Sequence, residues 1–227
     1  METVVSKISP SLVSRELPAY ANDKLDAVRA AFQQADSCEL QQAWLAKLEG
    51  DFRPATVRTG WFGNSLRVFA ELEDADIFTS ATSHNQRMWE LGDVLEIFLQ
   101  PAGSPDYVEL HVTPNNRRLQ LRFPDTATLR RAQAENFFDD LILPEWVFHS
   151  YTWAQPEKGK WYVHAEVPAS LVCGEDQLPV DGEWRFSFSR YDCTRGRQEP
   201  VISSTSPHAR PDFHRREEWG TLFFKGK

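Results

Sequence analysis

Along most of this chain, apolar and polar side chains alternate with a period of two, and that pattern limits the fold more than any other feature. Leu66, Val68, Ala70 and Leu72 alternate with Arg67, Phe69 and Glu71, and Leu95, Ile97 and Leu99 with Glu96, Phe98 and Gln100. Val108, Leu110 and Val112, then Leu119, Leu121 and Phe123, then Trp161, Val163, Ala165 and Val167, then Trp184, Phe186 and Phe188 follow the same rule. A period of two sends alternate side chains to opposite faces of an extended strand, so each run presents one apolar face. Turn-forming stretches separate the runs: PAGSPD after Gln100, TPNN after Val112 and EKGK before Trp161. Roughly seven short strands of this kind predict an all-β fold, an antiparallel β-sandwich of immunoglobulin-like or jelly-roll type.

The first fifty residues read differently. Residues 1–21, with Pro10 and Pro18, form an extended lead-in. From Asn22 to about Ala35, Leu25, Val28, Ala31 and Phe32 recur at helical spacing and predict one amphipathic helix. The expected organisation is a short N-terminal helical extension, residues 1–50, packed on a sandwich of residues 51–227. Long loops are expected near 79–91, 124–158 and 193–217, the second holding a short helix in TATLRRAQAEN.

Charge narrows the partners. With 25 Lys+Arg against 33 Asp+Glu the net charge is −8, the wrong sign for nucleic acid or an anionic membrane surface. No apolar run approaches the ~18 residues of a transmembrane helix. The N-terminus lacks a basic stretch followed by a long apolar one, and Cys38, Cys173 and Cys193 form no CxxC pair. The expectation is a cytoplasmic protein with reduced thiols, or a secreted one if the chain has been trimmed. Of the tryptophans, Trp61, Trp161 and Trp184 fall on or beside alternating strands and read as core, while Trp146 and Trp153 fall in a loop.

Strand pairing then collects candidate site residues. Facing Leu95 with Leu110 and Ile97 with Val108 sets Glu96 opposite Glu109, two carboxylates that need compensation. A two-residue slip sets Glu96 opposite His111 instead and keeps the same members on the face. In the next hairpin, facing Val112 with Leu119 sets Arg122 opposite Glu109 and Gln120 opposite His111. One face would then carry Glu96, Glu109, His111, Gln120, Arg122, Phe98 and Tyr107. It reads either as a solvated face with a salt bridge or as a face for sugar hydroxyls, with aromatic rings covering the apolar side of the sugar.

Two segments, MWELGDVLEIFLQPAGSPDYVELHVTPNN and DFHRREEWGTLFF, together resemble family 9 carbohydrate-binding modules and the wider DOMON-like sandwich. ATVRTGWFGNSLRVFAELEDADI, GKWYVHAEVPASLV and GEWRFSFSRYD extend the resemblance over about residues 51–225. It implies a non-catalytic protein that binds an oligo- or polysaccharide, holding a sugar between two rings, here Trp89 and Phe213. The second is Trp in the family pattern. Glu96 matches the acid that hydrogen-bonds the sugar, His111 falls near a basic position of the site, and Trp219 matches a structural aromatic. The resemblance also allows calcium, for which Asp74 and Asp76 are the candidates; no other cofactor is implied.

Other chemistries have weaker support. No G-x-S-x-G, P-loop or H-E-x-x-H motif occurs. Glycoside hydrolysis needs two carboxylates flanking the bond, whereas Glu96 and Glu109 share one face. Some DOMON-like domains hold haem b, which would here use Met88 with His111 or His164. A third alternative is an intracellular protein-interaction scaffold with a degenerate sugar site, motivated by the N-terminal helix.

Overall fold

The computed structural model describes residues 8–226. In chain order the elements are β1 (Ser11–Arg15), α1 (Leu25–Ala31), β2 (Ser37–Glu39), β3 (Ala55–Phe62), β4 (Ser65–Glu73), β5 (Val94–Pro101), β6 (Tyr107–Val112) and β7 (Arg118–Phe123). They continue with α2 (Thr126–Glu135), β8 (His149–Gln155), β9 (Lys160–Pro168), α3 (Ala169–Cys173), β10 (Glu183–Asp192), β11 (Val201–Ser204) and β12 (Gly220–Lys225). Among the described residues the strands make a β-sandwich of two sheets. One has seven strands in the order β1-β12-β10-β5-β6-β7 with β11 also on β10; the other has five, β2-β3-β4-β9-β8. The sheets are antiparallel except where β1 runs parallel to β12. No helix among the described residues is long and apolar enough to cross a membrane.

The alternating apolar positions fill the space between the sheets. Leu66, Val68, Ala70 and Leu72 of β4 meet Leu95, Ile97 and Leu99 of β5, with Val108, Leu110, Trp161, Trp184, Phe186 and Phe188 around them. All are essentially inaccessible, and each buried aliphatic or aromatic side chain contributes about 1.5–3 kcal/mol. Residues before Asp51 are built into both sheets, β1 as an edge strand of one and β2 of the other. The predicted helix is present as α1, which lays Val28, Ala31 and Phe32 on Phe69 and Tyr162, the outer face of the five-stranded sheet. The first seven residues of the predicted lead-in lie outside the described residues. The short helix predicted in the 124–158 loop is α2, whose N-cap Asp125 accepts from Thr128 N at 2.7 Å.

Pairing in the seven-stranded sheet departs from the first expectation twice. In the β5–β6 hairpin Glu96 faces His111, not Glu109; the imidazole sits between the two carboxylates and relieves their opposition. In the β6–β7 hairpin the turn has three residues. Thr113 N donates to Arg117 O at 3.0 Å, and Asn116 takes a left-handed conformation, φ 59°. An odd-numbered turn shifts the register by one, so Glu109 faces Leu121, His111 faces Leu119, and Arg122 faces Val108. A one-residue shift exchanges the faces of a strand. Arg122 and Gln120 therefore leave the face that carries Glu96, and Arg122 bonds instead to Asp106 and to the Leu171 carbonyl of α3. Leu119, Leu121 and Phe123, expected between the sheets, line the outer face.

Candidate functional site

The outer face of the seven-stranded sheet is roofed by loops, and a cavity of about 400 Å³ lies between sheet and loops. Its floor comes from the alternate positions of β5, β6 and β10: Glu96, Glu109 and Tyr191. Its walls are Trp89, Phe138, Phe213 and His214, with Gln133, Asn136 and Asp212 at the mouth. Trp89, Glu96, Glu109 and Phe213 thus converge on the cavity; His111, expected with them, is fully buried beneath it and does not line it, and Arg122 lies elsewhere.

Local chemistry fixes the Trp89 loop. Trp89 sits in a single 3-10 turn, Met88–Glu90, whose Met88 is fully buried. Gly92 follows with φ 140°, where a Cβ would lie 2.5 Å from the Phe78 carbonyl oxygen; only glycine fits. Asp93 clamps the same loop, accepting from Phe78 N at 2.6 Å and from Cys193 N at 2.7 Å. Arg87 ties it to the end of α2 by bonds of 2.7 and 2.5 Å to Asn136. The Trp89 ring meets His111 and Phe138 edge-on, with centroids at 5.4 and 5.8 Å.

Phe213 is held more tightly. It is 5% exposed and packs against Trp44, Tyr191 and Phe98 with centroids 5.7–6.5 Å apart. Trp219 is fully buried beneath the loop and donates from Nε1 to the Phe213 carbonyl at 2.8 Å. Trp44, from the N-terminal segment, therefore backs one wall of the cavity.

The floor is a chain of buried ionisable groups. His111 Nε2 lies 2.6 Å from Glu109 Oε1 and 3.5 Å from Glu96 Oε1. Tyr107 Oη lies 2.8 Å from His214 Nδ1, which in turn is 3.8 Å from Glu109 Oε2. Burial pulls the His111 pKa down, but Glu96 and Glu109 outweigh it and hold the imidazole above its ordinary value. Burial pushes Glu109 up, yet His214 and His111 bring it below the usual carboxylate range. Glu96 is driven up to about 8 by burial, with His111 opposing and Glu109 adding to the shift. The floor thus sets a Glu109 carboxyl held low against a His111 imidazole held high, beside a Glu96 raised to about 8.

Metal and haem candidates can be placed on the same geometry. Asp74 accepts from Arg190 Nη2 at 2.9 Å and from Asp76 N at 2.8 Å, and Asp76 accepts from Arg195 Nη1 at 2.5 Å and from Arg195 N at 2.8 Å. Those oxygens are committed to protein donors, so the Asp74–Asp76 pair does not fit calcium, which takes six or more oxygens of about this type. Asp74, Asp93 and Asp192 do bring ligand atoms within 4.8 Å of one another, around the buried guanidinium of Arg190. Glu96, Glu109 and His111 do so as well, with His111 Nε2 2.6 Å from Glu109 Oε1. Met88 packs on the outer face of the seven-stranded sheet and His164 on that of the five-stranded sheet; one haem cannot reach both. His111 Nε2 is engaged by its carboxylates.

Several lining residues escaped the sequence reading. Tyr191 follows Ser187 and Ser189 on the outward positions of β10, so its face was readable from the alternation. His214 adjoins Phe213. Phe138, Gln133 and Asn136 sit in and after α2, where no pattern relates them to the sheet.

The fold is a β-sandwich like that of family 9 carbohydrate-binding modules. It superposes on a Bacteroides uniformis protein assigned a carbohydrate-binding role with a TM-score of 0.72 at 18% identity, over 95% of this chain and 99% of that one. A family 9 module from Caldicellulosiruptor kristjanssonii in complex with cellotriose superposes with a TM-score of 0.63 at 14% identity, over 96% and 95%. The same kind of module in complex with glucose gives 0.61 at 15% identity, over 95% of each chain. No protein-family model matches the sequence, and no curated protein sequence matches it.

Proposed function

We propose that this protein binds a saccharide, without hydrolysing it, in the cavity over the seven-stranded sheet. The observation that carries the reading is the pairing of aromatic walls with a buried polar floor. Trp89 and Phe213 offer apolar surface to the C–H side of a sugar ring, and Glu96 and Glu109, with the buried His111 behind them, offer polar groups to its hydroxyls. The neighbours of this fold solved with cellotriose and glucose support it.

The floor supports binding without catalysis. A glycosidase places its two carboxyl groups about 5–9.5 Å apart on either side of the bond. Here the ligand atoms of Glu96 and Glu109 lie within 4.8 Å of each other and of His111, all beneath one face of any ligand. Calorimetric titration with cellotriose and glucose, backed by a glycan array, tests the reading. Saturable binding with no release of reducing ends is expected; failure of every glycan to bind would overturn it.

A further inference from the structure

The cavity has an uneven inventory of polar groups. Three carboxylates line it, Glu96, Glu109 and Asp212, and no lysine or arginine does. Asp212 is shared with Arg210 at the surface, Nη2 to Oδ2 at 3.0 Å. Glu109 is different: it is 4% exposed, and its Oε2 is buried without a hydrogen-bond partner in the protein, while Oε1 is taken by His111. The base nearest to Oε2 in the lining is His214, whose Nδ1 is 3.8 Å away, beyond hydrogen-bond reach; a buried carboxylate oxygen without a hydrogen bond is costly, and a ligand that supplies a donor there recovers that cost. Trp89, Phe138, Phe213 and Tyr191 line the same space, and the faces of aromatic rings attract cations.

Resting on the saccharide-binding reading above, we infer that the preferred ligand is an amino sugar with a free amine, its ammonium group donating to Glu109 Oε2. A hydroxyl in that place makes a hydrogen bond between one charged and one neutral partner. An ammonium adds the opposite charge in a site shielded from water, where charge-assisted bonds are stronger. An N-acetylated sugar lacks the charge and adds bulk at the floor. A uronic acid brings a carboxylate against Glu109 and Asp212.

The test compares four trisaccharides by calorimetry slightly below neutral pH: glucosamine trimer, cellotriose, the N-acetylated trimer and trigalacturonate. Salt of about 0.3 M screens the diffuse attraction between a cationic ligand and an acidic protein. The glucosamine trimer is expected to bind about tenfold tighter than cellotriose or more, and trigalacturonate not at all. Glu109→Gln keeps the shape and removes the charge, and should bring the glucosamine and cellotriose affinities within about twofold of each other. Should that variant misfold, Asp212→Lys, at the mouth of the cavity, places a cation there and should narrow the same ratio. Cellotriose binding as tightly as the glucosamine trimer, or a preference that survives in every folded variant, overturns the inference and leaves saccharide binding standing. Binding of none of the four, nor of any other glycan, removes both.

Discussion

Each outer face of the sandwich buries a histidine on the strand next to a sheet edge, His164 on β9 and His111 on β6, and both are fully inaccessible. Their pKa values move in opposite directions. His164 bonds to Tyr20 Oη at 2.9 Å, and burial followed by the nearby Arg67 drives its pKa down to about 3. His111 lies between Glu96 and Glu109, which hold its pKa above the ordinary value in spite of burial. Burial penalises any charge, and the neighbours decide whether it is kept. On the five-stranded sheet, α1 seals the face with Phe32 on Phe69, centroids 5.6 Å apart, and the histidine is neutral. On the seven-stranded sheet loops roof the face, a cavity opens, and charged groups form its floor. One face serves stability, and the other holds polar groups where a ligand can meet them.

Substitutions on the two faces should separate these roles. Phe32→Ala on the sealed face leaves a hole against Phe69, Tyr20 and His164 and should cost about 3–5 kcal/mol in a urea melt. Saccharide affinity of the folded fraction should not change. A parallel loss of affinity would show that the faces are coupled and end the contrast. Trp89→Ala should do the reverse: a drop in saccharide affinity of about tenfold or more by calorimetry, with a smaller loss of stability than Phe32→Ala. If Trp89→Ala leaves every affinity intact, the cavity is not where the sugar sits.

The histidines and their partners also give the two faces opposite responses to pH. The His164 pKa is lowered from 6.5 to about 3. The unfolded chain therefore takes up a proton that the native one refuses, and stability falls as pH drops from about 6.5 towards 3. The Glu96 pKa is raised from 4.5 to about 8. Its contribution is present below the unfolded value and is lost as pH rises through 8. Each proton tilts stability by about 1.4 kcal/mol per pH unit within its window. Melting curves across pH should show His164→Gln gaining on the parent protein towards acid, and Glu96→Gln gaining on it from mildly acidic towards alkaline pH. Gains of both variants at the same end would mean that the two faces do not differ in this way.

The sequence made one face far more legible than the other. Strands β4 to β7, β9 and β10 carry the alternation and are where it places them, while β3 and β12 fall in segments read through the resemblance. Strands β1, β2, β8 and β11 are not legible, because they are short or sit at edges with mixed exposure, as His149–Gln155 does. Trp89, Glu96, Glu109 and Phe213 were collected from alternation and resemblance together. Phe138 and Asn136 were not, because a loop residue meets a sheet only through tertiary packing. The assignment of faces failed in β7 for a physical reason. Both faces of the seven-stranded sheet are buried there, so the alternation of Leu119, Leu121 and Phe123 marks an apolar face without saying which side it takes. Turn length then decides the side, and TPNN closes with three residues, the last in a left-handed conformation.

Arg122 gives the finest test of this distinction. Had the turn held an even number of residues, the guanidinium would face Glu109 and belong to the site. Instead it is paired with Val108 across the strands, bonded to Asp106 and the Leu171 carbonyl, and absent from the cavity lining. Its side chain is 32% exposed and that of Asp106 25%, so solvent screens the pair, and such partly exposed ion pairs contribute about 1 kcal/mol or less. Arg122→Gln should therefore lower stability by about that amount and leave saccharide affinity within about twofold, near the limit of calorimetric resolution. A large loss of affinity with stability intact would mean that β7 presents its other face to the cavity, and the sealed and open faces would have to be redrawn from that strand outward.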